Sequence, residues 1–397
     1  MIRIRLVSVL LLAALLPPAV PAAAGENQAA GSSANGVLPG AQTPVQLQPG
    51  LSGAEDSSAK PPLWSFVWLS DLHLDGSRLE YTAKVLDYIH AELKSHFVLL
   101  TGDNNAYAAP PADPLRPEPL GVRQQRFLKT FLDEHLHASE VRDRPAGGNS
   151  APISGQSGSP ALALAQPPYV LVTADNWTEG FDQVFGPHQY SFDCGGLHFL
   201  LVDPDRVHHG SGAEGLSVFD DAAWEWIRRD LDRNRDKPTI LALHEPLVPP
   251  TFLDAPRLRG LVDQNPQVVA VLQGHLHVDM EFRRSGTTYL VAPSLSMTTP
   301  PAMKVVQVYP EGLVVRTIRD REAKGRFEMT SRRQRIAIPE TLRGRLHKPP
   351  DARLVKANYD CVPAHPILDD PALAARAGEL VRNGLESLWP AKAPPAR

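Results

Sequence analysis

Short runs of β-branched and aromatic residues alternate with amphipathic stretches over most of this chain. Such runs are typical of buried strands when turn residues bound them. The predicted strands cover residues 64–70, 97–101, 169–173, 190–193, 197–203, 239–243 and 268–272, with several antiparallel strands across 279–318. Helical spacing of apolar residues predicts helices at 79–93 and 121–137, and another that Asp220 caps at its N-terminus. This order of strands and helices predicts an α/β sandwich with a mixed sheet.

The first 24 residues have the pattern of a secretory signal peptide. Arg3 and Arg5 precede an apolar run over residues 6–16, and Ala22 to Ala24 form a small-residue cleavage site before Gly25. The apolar run has about 11 residues, short of the ~20 that span a bilayer. We therefore expect a secreted or periplasmic protein without a stable membrane span. A retained signal anchor is the alternative.

Composition divides the rest of the chain. Residues 25–62 are rich in Gly, Ala, Ser, Gln and Pro without a hydrophobic period, which predicts a disordered leader. The main domain is predicted over residues 63–319, with an insertion at about 107–168 made of Pro- and Gly-rich segments around one helix. Residues 320–397 are Pro- and Arg-rich and contain one late helix at 371–388, so we expect a C-terminal extension.

Charge and cysteine content narrow the classes of partner. The formal net charge is −4, and becomes −6 without the signal peptide. No basic stretch compensates for this acidity, so a nucleic acid or anionic membrane partner is not expected. The two cysteines, Cys194 and Cys361, are too few for a disulfide framework. They either form one bridge that ties the tail to the body or are unrelated thiols. The pattern does not indicate an oligomeric state.

Carboxylates and imidazoles follow the ends of several predicted strands. Asp71 and His73 come after the first strand, Asp103 follows Gly102, and His244 ends another strand. His275 and His277 repeat the spacing of Asp71 and His73. Residues two apart at a strand end can face one point. A mixture of imidazole and carboxylate suits borderline metal ions such as Zn²⁺, Fe and Mn²⁺. The sequence therefore predicts a metal site at one edge of the sheet.

In this order the motifs resemble those of the calcineurin-like metallophosphoesterases, over about residues 64–296. The resemblance implies a two-sheet mixed β sandwich flanked by helices, with two divalent or trivalent ions (Mn, Fe or Zn) at one edge. It implies that the first ion binds Asp71, His73, Asp103 and His277. It implies that the second binds Asp103 as a bridge, together with His244, His275 and the third motif.

The third motif departs from the family pattern. The family has Gly-Asn-His, with the Asn on the second metal and the His assisting the leaving group, whereas this chain has Ala174-Asp175-Asn176. Aligning the strand end gives Asp175 the ligand role and Asn176 the place of the histidine, where it cannot supply a proton. A register one residue earlier gives Ala174 the ligand position and Asp175 the histidine's place. We favour the first register because it keeps an oxygen ligand.

Several further residues are candidates for contact with the substrate. Asn104 follows the predicted bridging carboxylate, and Glu245 follows His244. His208 and His209 can reach the site and replace the missing acid, or they lie in a solvated loop. The segment from Gly210 to Gly215 has the letters of a dinucleotide fingerprint, but no strand leads directly into it and no helix follows, so we interpret it as a flexible loop.

These observations predict an exported hydrolase that acts on a small phosphorylated substrate. Two metals would activate a bridging water, and hydroxide would attack phosphorus in line. The alternative is a non-catalytic member of the same fold that keeps the metal cage for structure or ligand binding. A third hypothesis, a scaffold that acts through its insertion or tail, depends only on the length and proline content of those segments.

Overall fold

The computed structural model describes residues 60–104, 118–136, 169–172, 180–186, 188–204, 217–349 and 356–358, together with the isolated residues 375 and 379. The predicted signal peptide, nearly all of the leader and most of the late helix lie outside these residues. Cys361 also lies outside them, so its pairing with Cys194 stays a prediction. Cys194 itself is buried and has no disulfide partner among the described residues, and burial raises the pKa of its thiol to about 12.

Thirteen strands form two sheets in the described residues. They are β1 (Trp64–Leu69), β2 (Val98–Thr101), β3 (Tyr169–Val172), β4 (Tyr190–Cys194), β5 (Leu197–Leu201), β6 (Thr239–Ala242), β7 (Val268–Gln273), β8 (Met280–Arg284), β9 (Thr287–Val291), β10 (Ala302–Tyr309), β11 (Gly312–Asp320), β12 (Phe327–Ala337) and β13 (Lys356–Asn358). The first sheet has the order β12-β11-β10-β1-β2-β3 and the second β13-β4-β5-β6-β7-β9-β8. Both sheets mix parallel and antiparallel pairs, as predicted.

Helices cover the outer faces of both sheets. They are α1 (Leu79–Tyr88), which continues as a π-helical turn (Ile89–Leu93), α2 (Leu120–Leu136), α3 (Phe181–Val184), α4 (Asp221–Arg233) and α5 (Ala255–Asp263), and a 3₁₀ turn spans Glu340–Leu342. The side chain of Asp220 accepts a hydrogen bond from the backbone N–H of Ala223 at 2.6 Å, so the predicted cap of α4 is confirmed. Among these helices, none has the length and hydropathy needed to cross a bilayer.

Aromatic side chains hold the two sheets together. Phe66 stacks on Phe97 in the first sheet with ring centroids 5.0 Å apart, and Phe192 stacks on Phe199 in the second at 4.7 Å. Phe66 meets Phe199 edge to face at 5.6 Å, which joins the pairs across the sandwich. Further apolar clusters pack α1 and α2 on the first sheet and α4 and α5 on the second. The predicted two-sheet sandwich flanked by helices is confirmed.

Part of the predicted insertion belongs to the core of the fold. Strands β2 and β3 are parallel neighbours, and such a pair needs a crossover connection. Helix α2 lies in this connection, and its Leu128 and Leu132 are fully buried in the cluster that contains Val98 and Leu100. The boundaries predicted at 107 and 168 therefore enclose a structural helix. The helix was assigned to an insertion because Pro- and Gly-rich segments flank it on both sides in the sequence.

The sandwich also continues past the boundary predicted at residue 319. That boundary falls inside β11, and β12 pairs with β11 along most of its length. Beyond β12, Leu342 and Leu346 lie in the apolar core between the sheets. The prediction was wrong here because β12 is an edge strand with mostly exposed side chains, so its Arg-rich sequence has no apolar alternation to mark it.

Candidate metal centre

The predicted ligands lie at one edge of the sandwich. Strands β1 and β2 are parallel, and so are β6 and β7, and each pair directs its carboxyl ends to this edge. Ligand sites of open α/β sheets occur at such ends. Backbone hydrogen bonds continue past the strands: the N–H of Asp71 donates to Gly102 O at 3.0 Å, and the N–H of Gly274 donates to His244 O at 2.9 Å. The first sheet thus presents Asp71, His73 and Asp103, and the second presents the three histidines.

Six predicted ligands form two groups that share one carboxylate. One group contains Asp71, His73, Asp103 and His277, the other contains Asp103, His244 and His275, and within each group the donor atoms lie within 4.8 Å of one another. We call these the four-residue group and the three-residue group. Nε2 of His73 is 3.2 Å from Nε2 of His277 and 3.6 Å from Oδ2 of Asp103. Ligand atoms about 2.1 Å from a common ion have separations of this order.

The two oxygens of the Asp71 carboxylate have different surroundings. The hydroxyl of Ser70 donates to Oδ2 at 2.5 Å, and the backbone N–H of His275 donates to both oxygens at 3.1 and 3.2 Å. Oδ1 faces Nε2 of His277 at 3.0 Å and Nε2 of His73 at 3.8 Å. The hydrogen bonds therefore fix the carboxylate plane, and Oδ1 points to the place where a cation would sit.

Five of the six ligands have left-handed backbone conformations. Their φ angles are 54° for Asp71, 44° for His73, 48° for Asp103, 68° for His275 and 57° for His277. Residues with a Cβ are rarely found in this region, where each costs about 1–3 kcal/mol and persists only when its surroundings hold it. Such strain concentrates at functional sites, and here the strained residues are the ones whose donor atoms lie close together.

Two glycines allow the ligand loops to approach closely. A Cβ on Gly102 would lie 2.6 Å from the ring of His244. One on Gly274 would lie 2.0 Å from Ser70 Oγ and 2.8 Å from Asp71 Oδ2. Both positions are adjacent to a ligand, so a side chain at either one would push the two sheets apart at the metal edge.

The hydrogen bonds of His244 determine which nitrogen can bind a metal. Its Nδ1 lies 2.7 Å from the carbonyl oxygen of Thr101. Because a carbonyl only accepts, Nδ1 carries the proton and Nε2 has the lone pair of the neutral ring. Nε2 is buried, has no hydrogen-bond partner among the described residues, and lies 3.4 Å from Oδ2 of Asp103. A metal ion would satisfy this buried acceptor, so the residues present fit a metal centre.

The protonation equilibria of His73, His275 and Asp103 suit metal ligation. Burial and the neighbouring His244 lower the pKa of His275 to about 4, and burial also lowers that of His73 despite the Asp103 and Asp71 charges nearby. Both rings are therefore neutral at pH 7. Burial opposes ionisation of Asp103, but His244 and His73 hold its pKa below the usual range. Burial lowers the pKa of His244, yet the charges of Asp103 and Asp71 raise it well above its ordinary value, so a metal ion that binds Nε2 would displace a proton from it.

Three hydroxyl side chains that the sequence analysis missed support the ligands. Ser294 and Ser296 donate to the backbone carbonyl of Asp71 at 2.8 and 3.0 Å, and Thr298 donates to that of His277 at 2.6 Å. We call these three residues the hydroxyl clamp. The clamp joins the backbones of two ligands that come from different sheets, and both ligands belong to the four-residue group. The only signal in the sequence is the position of the clamp just after β9, a strand parallel to β7.

We expect Thr298→Val to weaken metal binding to the four-residue group by about 10- to 100-fold, the usual cost of removing a supporting hydrogen bond. The valine keeps the shape of threonine but cannot donate to His277 O. Titration of metal-free protein with Mn²⁺, followed by electron paramagnetic resonance, reports the occupancy of the two groups. Thr298→Ser keeps the hydroxyl and should bind like the wild type. Unchanged Mn²⁺ occupancy in Thr298→Val would contradict the role of the clamp.

Of the remaining predicted site residues, some lie within the described part of the chain and others lie outside it. Asn104 and Glu245 are both buried, and they directly follow Asp103 and His244 in the sequence. Their contact with substrate stays a prediction. Asp175 and Asn176 lie outside the described residues, as do His208 and His209. Strand β3, which precedes the third motif, ends with Val172 opposite Thr101 of β2. The chain therefore reaches the metal edge two residues before Ala174.

Comparisons with protein families and with known proteins found the following similarities. The family model for calcineurin-like phosphoesterases matches residues 65–279. A 3′,5′-cyclic-nucleotide phosphodiesterase from Nostoc is 29% identical over 112 residues, which are 26% of this chain and 40% of that relative. A dimetal phosphatase structure from Danio rerio covers 70% of this chain and 100% of its own at 12% identity, with a TM-score of 0.46. GAP50, the anchor in the inner membrane complex of Plasmodium, covers 72% and 91% at 14% identity, with a TM-score of 0.45.

Proposed function

The chain belongs to the calcineurin-like phosphoesterase family, and from this premise we propose that it hydrolyses phosphate esters with two metal ions. One observation carries the proposal: the two donor groups share Asp103, so that one carboxylate can bridge two ions. Two ions close together lower the pKa of a water and neutralise charge on the phosphoryl oxygens. The mixture of imidazole and carboxylate ligands favours Mn, Fe or Zn.

The residues of the chain have separate tasks in this proposal. Asp71, His73 and His277 would hold one ion and His244 and His275 the other, with Asp103 between them. The left-handed loops and the hydroxyl clamp fix these side chains before substrate arrives, which saves reorganisation during the reaction. Asp175 would complete the second ion's ligands. Asn176 would hydrogen-bond the substrate but could not protonate a leaving group, so esters with good leaving groups should react fastest.

Hydrolysis of p-nitrophenyl phosphate and its bis-ester by protein starting at Gly25 tests the proposal. Assays with and without added Mn²⁺, after removal of bound metal, should show metal-dependent release of nitrophenol. The ratio of mono- to diester rates would indicate the substrate class. Absence of release from both esters by folded, Mn²⁺-loaded protein would refute hydrolysis and favour the non-catalytic alternative.

The altered third motif favours that second candidate, a binding protein that keeps the metal cage without turnover. The variant Asn176→His distinguishes the two. It restores an imidazole that can assist the leaving group, an effect typically worth about 10²- to 10⁴-fold. We expect turnover of an alkyl phosphate to rise more than that of p-nitrophenyl phosphate, whose leaving group needs no proton. A matched Asn176→Gln variant should show no gain. No gain in Asn176→His would count against the assigned register.

A further inference from the structure

A cavity of about 400 Å³ opens on the first sheet, lined by Pro300, Arg319, Arg321, Glu328, Met329 and Thr330. We call it the arginine cavity. Its residues come from the chain just before β10, the end of β11 and the start of β12. Because β10 is antiparallel to β1, the start of β10 lies at the same edge as the end of β1, which leads into Asp71. The cavity and the metal centre therefore occupy one edge of the sandwich.

Strand register places Arg319 close to the metal ligands. Trp68 of β1 lies opposite Lys304 of β10, and Ala302 of β10 lies opposite Arg319 of β11. Continuing the first pair by two residues puts Ser70 opposite Ala302, so the three residues form one row across the sheet. With adjacent strands about 4.8 Å apart, the Cα of Arg319 is roughly 10 Å from that of Ser70, which precedes Asp71.

Hydrogen bonds give the same position by an independent route. Thr317 is two residues before Arg319 on β11, so both side chains project from the same face. The hydroxyl of Thr317 donates to Oδ2 of Asp279 at 2.6 Å. Asp279 is two residues after the ligand His277. Arg319 thus lies one step further along a face of the sheet that already contacts the loop of the four-residue group.

The charges of the cavity favour an anion. Arg321 pairs with the one carboxylate in the lining, Glu328, with Nε 3.2 Å from Oε2. Arg319 is exposed and forms no ion pair among the described residues. Two guanidinium groups face one carboxylate, and a planar guanidinium binds phosphate or carboxylate with two parallel hydrogen bonds.

We propose that the arginine cavity is a second anion site. The substrate would then be a phosphate ester with a further phosphate or carboxylate, held by Arg319, whose Cα lies roughly 10 Å from that of Ser70 beside the metal ligand Asp71. This inference rests on the proposed function for the first phosphate, which the metal ions would bind. It narrows the substrate class to esters with two anionic groups.

Two non-hydrolysable ligands test the proposal: hexylphosphonate, with one anionic head, and hexane-1,6-bisphosphonate, with two. Their binding to Mn²⁺-loaded protein is measured by isothermal titration calorimetry and by inhibition of p-nitrophenyl phosphate hydrolysis. We expect the bisphosphonate to bind about 10-fold more tightly than the monophosphonate, because of the added charge-assisted hydrogen bonds. Two equivalent heads alone give only a twofold statistical advantage.

The variants isolate the contribution of Arg319. Arg319→Gln should reduce the preference for the bisphosphonate over hexylphosphonate to the twofold statistical advantage. It should leave the affinity for hexylphosphonate unchanged. Arg333→Gln is the matched control: Gln334 contacts Lys304 on the inner face, so the neighbouring Arg333 projects from the opposite face of β12. It should keep the wild-type preference.

Three outcomes would overturn the proposal: no preference in the wild type, a preference that persists in Arg319→Gln, or equal weakening of both ligands in that variant. Calorimetry separates this proposal from the proposed function. A preference that Arg319→Gln abolishes, in a protein that hydrolyses neither ester, would support the anion site and refute hydrolysis.

Discussion

Replacing Asp103 by Asn is expected to abolish metal-dependent turnover and to lower metal content at both groups together. Asp103 is the one residue common to the two donor groups, with Oδ2 3.6 Å from Nε2 of His73 and 3.4 Å from Nε2 of His244. An amide provides one neutral oxygen in place of two charged ones, so it cannot bridge two cations as a carboxylate does. The loss should exceed the roughly 10- to 100-fold cost of removing a supporting residue.

The test combines metal analysis with kinetics. Metal bound per chain is measured after equilibration with Mn²⁺, and hydrolysis of p-nitrophenyl phosphate is measured on the same sample. Asp232→Asn is a suitable control, because Asp232 is an exposed residue of α4 that pairs only with Arg235 among the described residues. Full metal occupancy in Asp103→Asn would rule out the bridging role. Lost activity with retained metal would assign Asp103 a task other than ligation.

The second large effect concerns a buried charge pair. Lys304 is fully buried, and its Nζ lies 2.7 Å from Oδ1 of Asp279, 2.8 Å from Oε1 of Gln334 and 3.3 Å from Oγ1 of Thr317. Burial lowers the pKa of Lys304, and the Asp279 carboxylate opposes that shift. We expect Lys304→Met to lower the free energy of unfolding by about 3–5 kcal/mol, because it leaves the Asp279 carboxylate buried without its main counter-charge.

Urea unfolding of the metal-free protein measures this effect without a contribution from bound metal. The double variant Lys304→Met with Asp279→Asn removes both charges and should recover more than half of the loss. Lys324→Met is the surface control, since Lys324 and its partner Glu322 are exposed. A single variant as stable as the wild type would show that Asp279 finds another counter-charge, for which Arg332 is a candidate because its charge also lowers the pKa of Asp279.

This pair also bears on the metal centre. Asp279 follows His277 by two residues in the loop after β7, whereas Lys304, Thr317 and Gln334 lie on β10, β11 and β12 of the other sheet. The pair and Thr298 of the hydroxyl clamp therefore both hold the chain at His277 and just after it. We expect Lys304→Met to weaken metal binding as well as folding.

The fold and the convergence of six candidate ligands were predictable because each motif contains its own structural cue. In two of the motifs a buried strand is followed by a ligand, Asp71 or His275, and by a second ligand two residues later. This pattern can be recognised within about ten residues of sequence. Parallel strands bring their carboxyl ends to one edge, so these windows converge without knowledge of the packing. The two groups that share Asp103 are those that the family resemblance implied.

Other features were not predictable from local pattern. Lys304 and Thr317 are polar residues within mainly apolar strands. A polar residue in such a strand usually faces solvent, yet Lys304 is fully buried. The hydroxyls of Ser294 and Thr298 bond to backbone atoms of distant loops, and no local pattern encodes such partners. Strand β12 has too few apolar positions to be recognised as part of the sandwich.

The sequence by itself determined which side chains are available for chemistry and that they end strands at one edge of an α/β fold. Those properties depend on side-chain chemistry and on patterns a few residues long. Only the tertiary structure decided how the ligands meet: His73 and His277 are 204 positions apart, and their Nε2 atoms lie 3.2 Å from one another. Such a contact depends on the packing of two sheets, because the left-handed loops, the hydroxyl clamp and the Lys304–Asp279 pair hold their positions only when both sheets are in place.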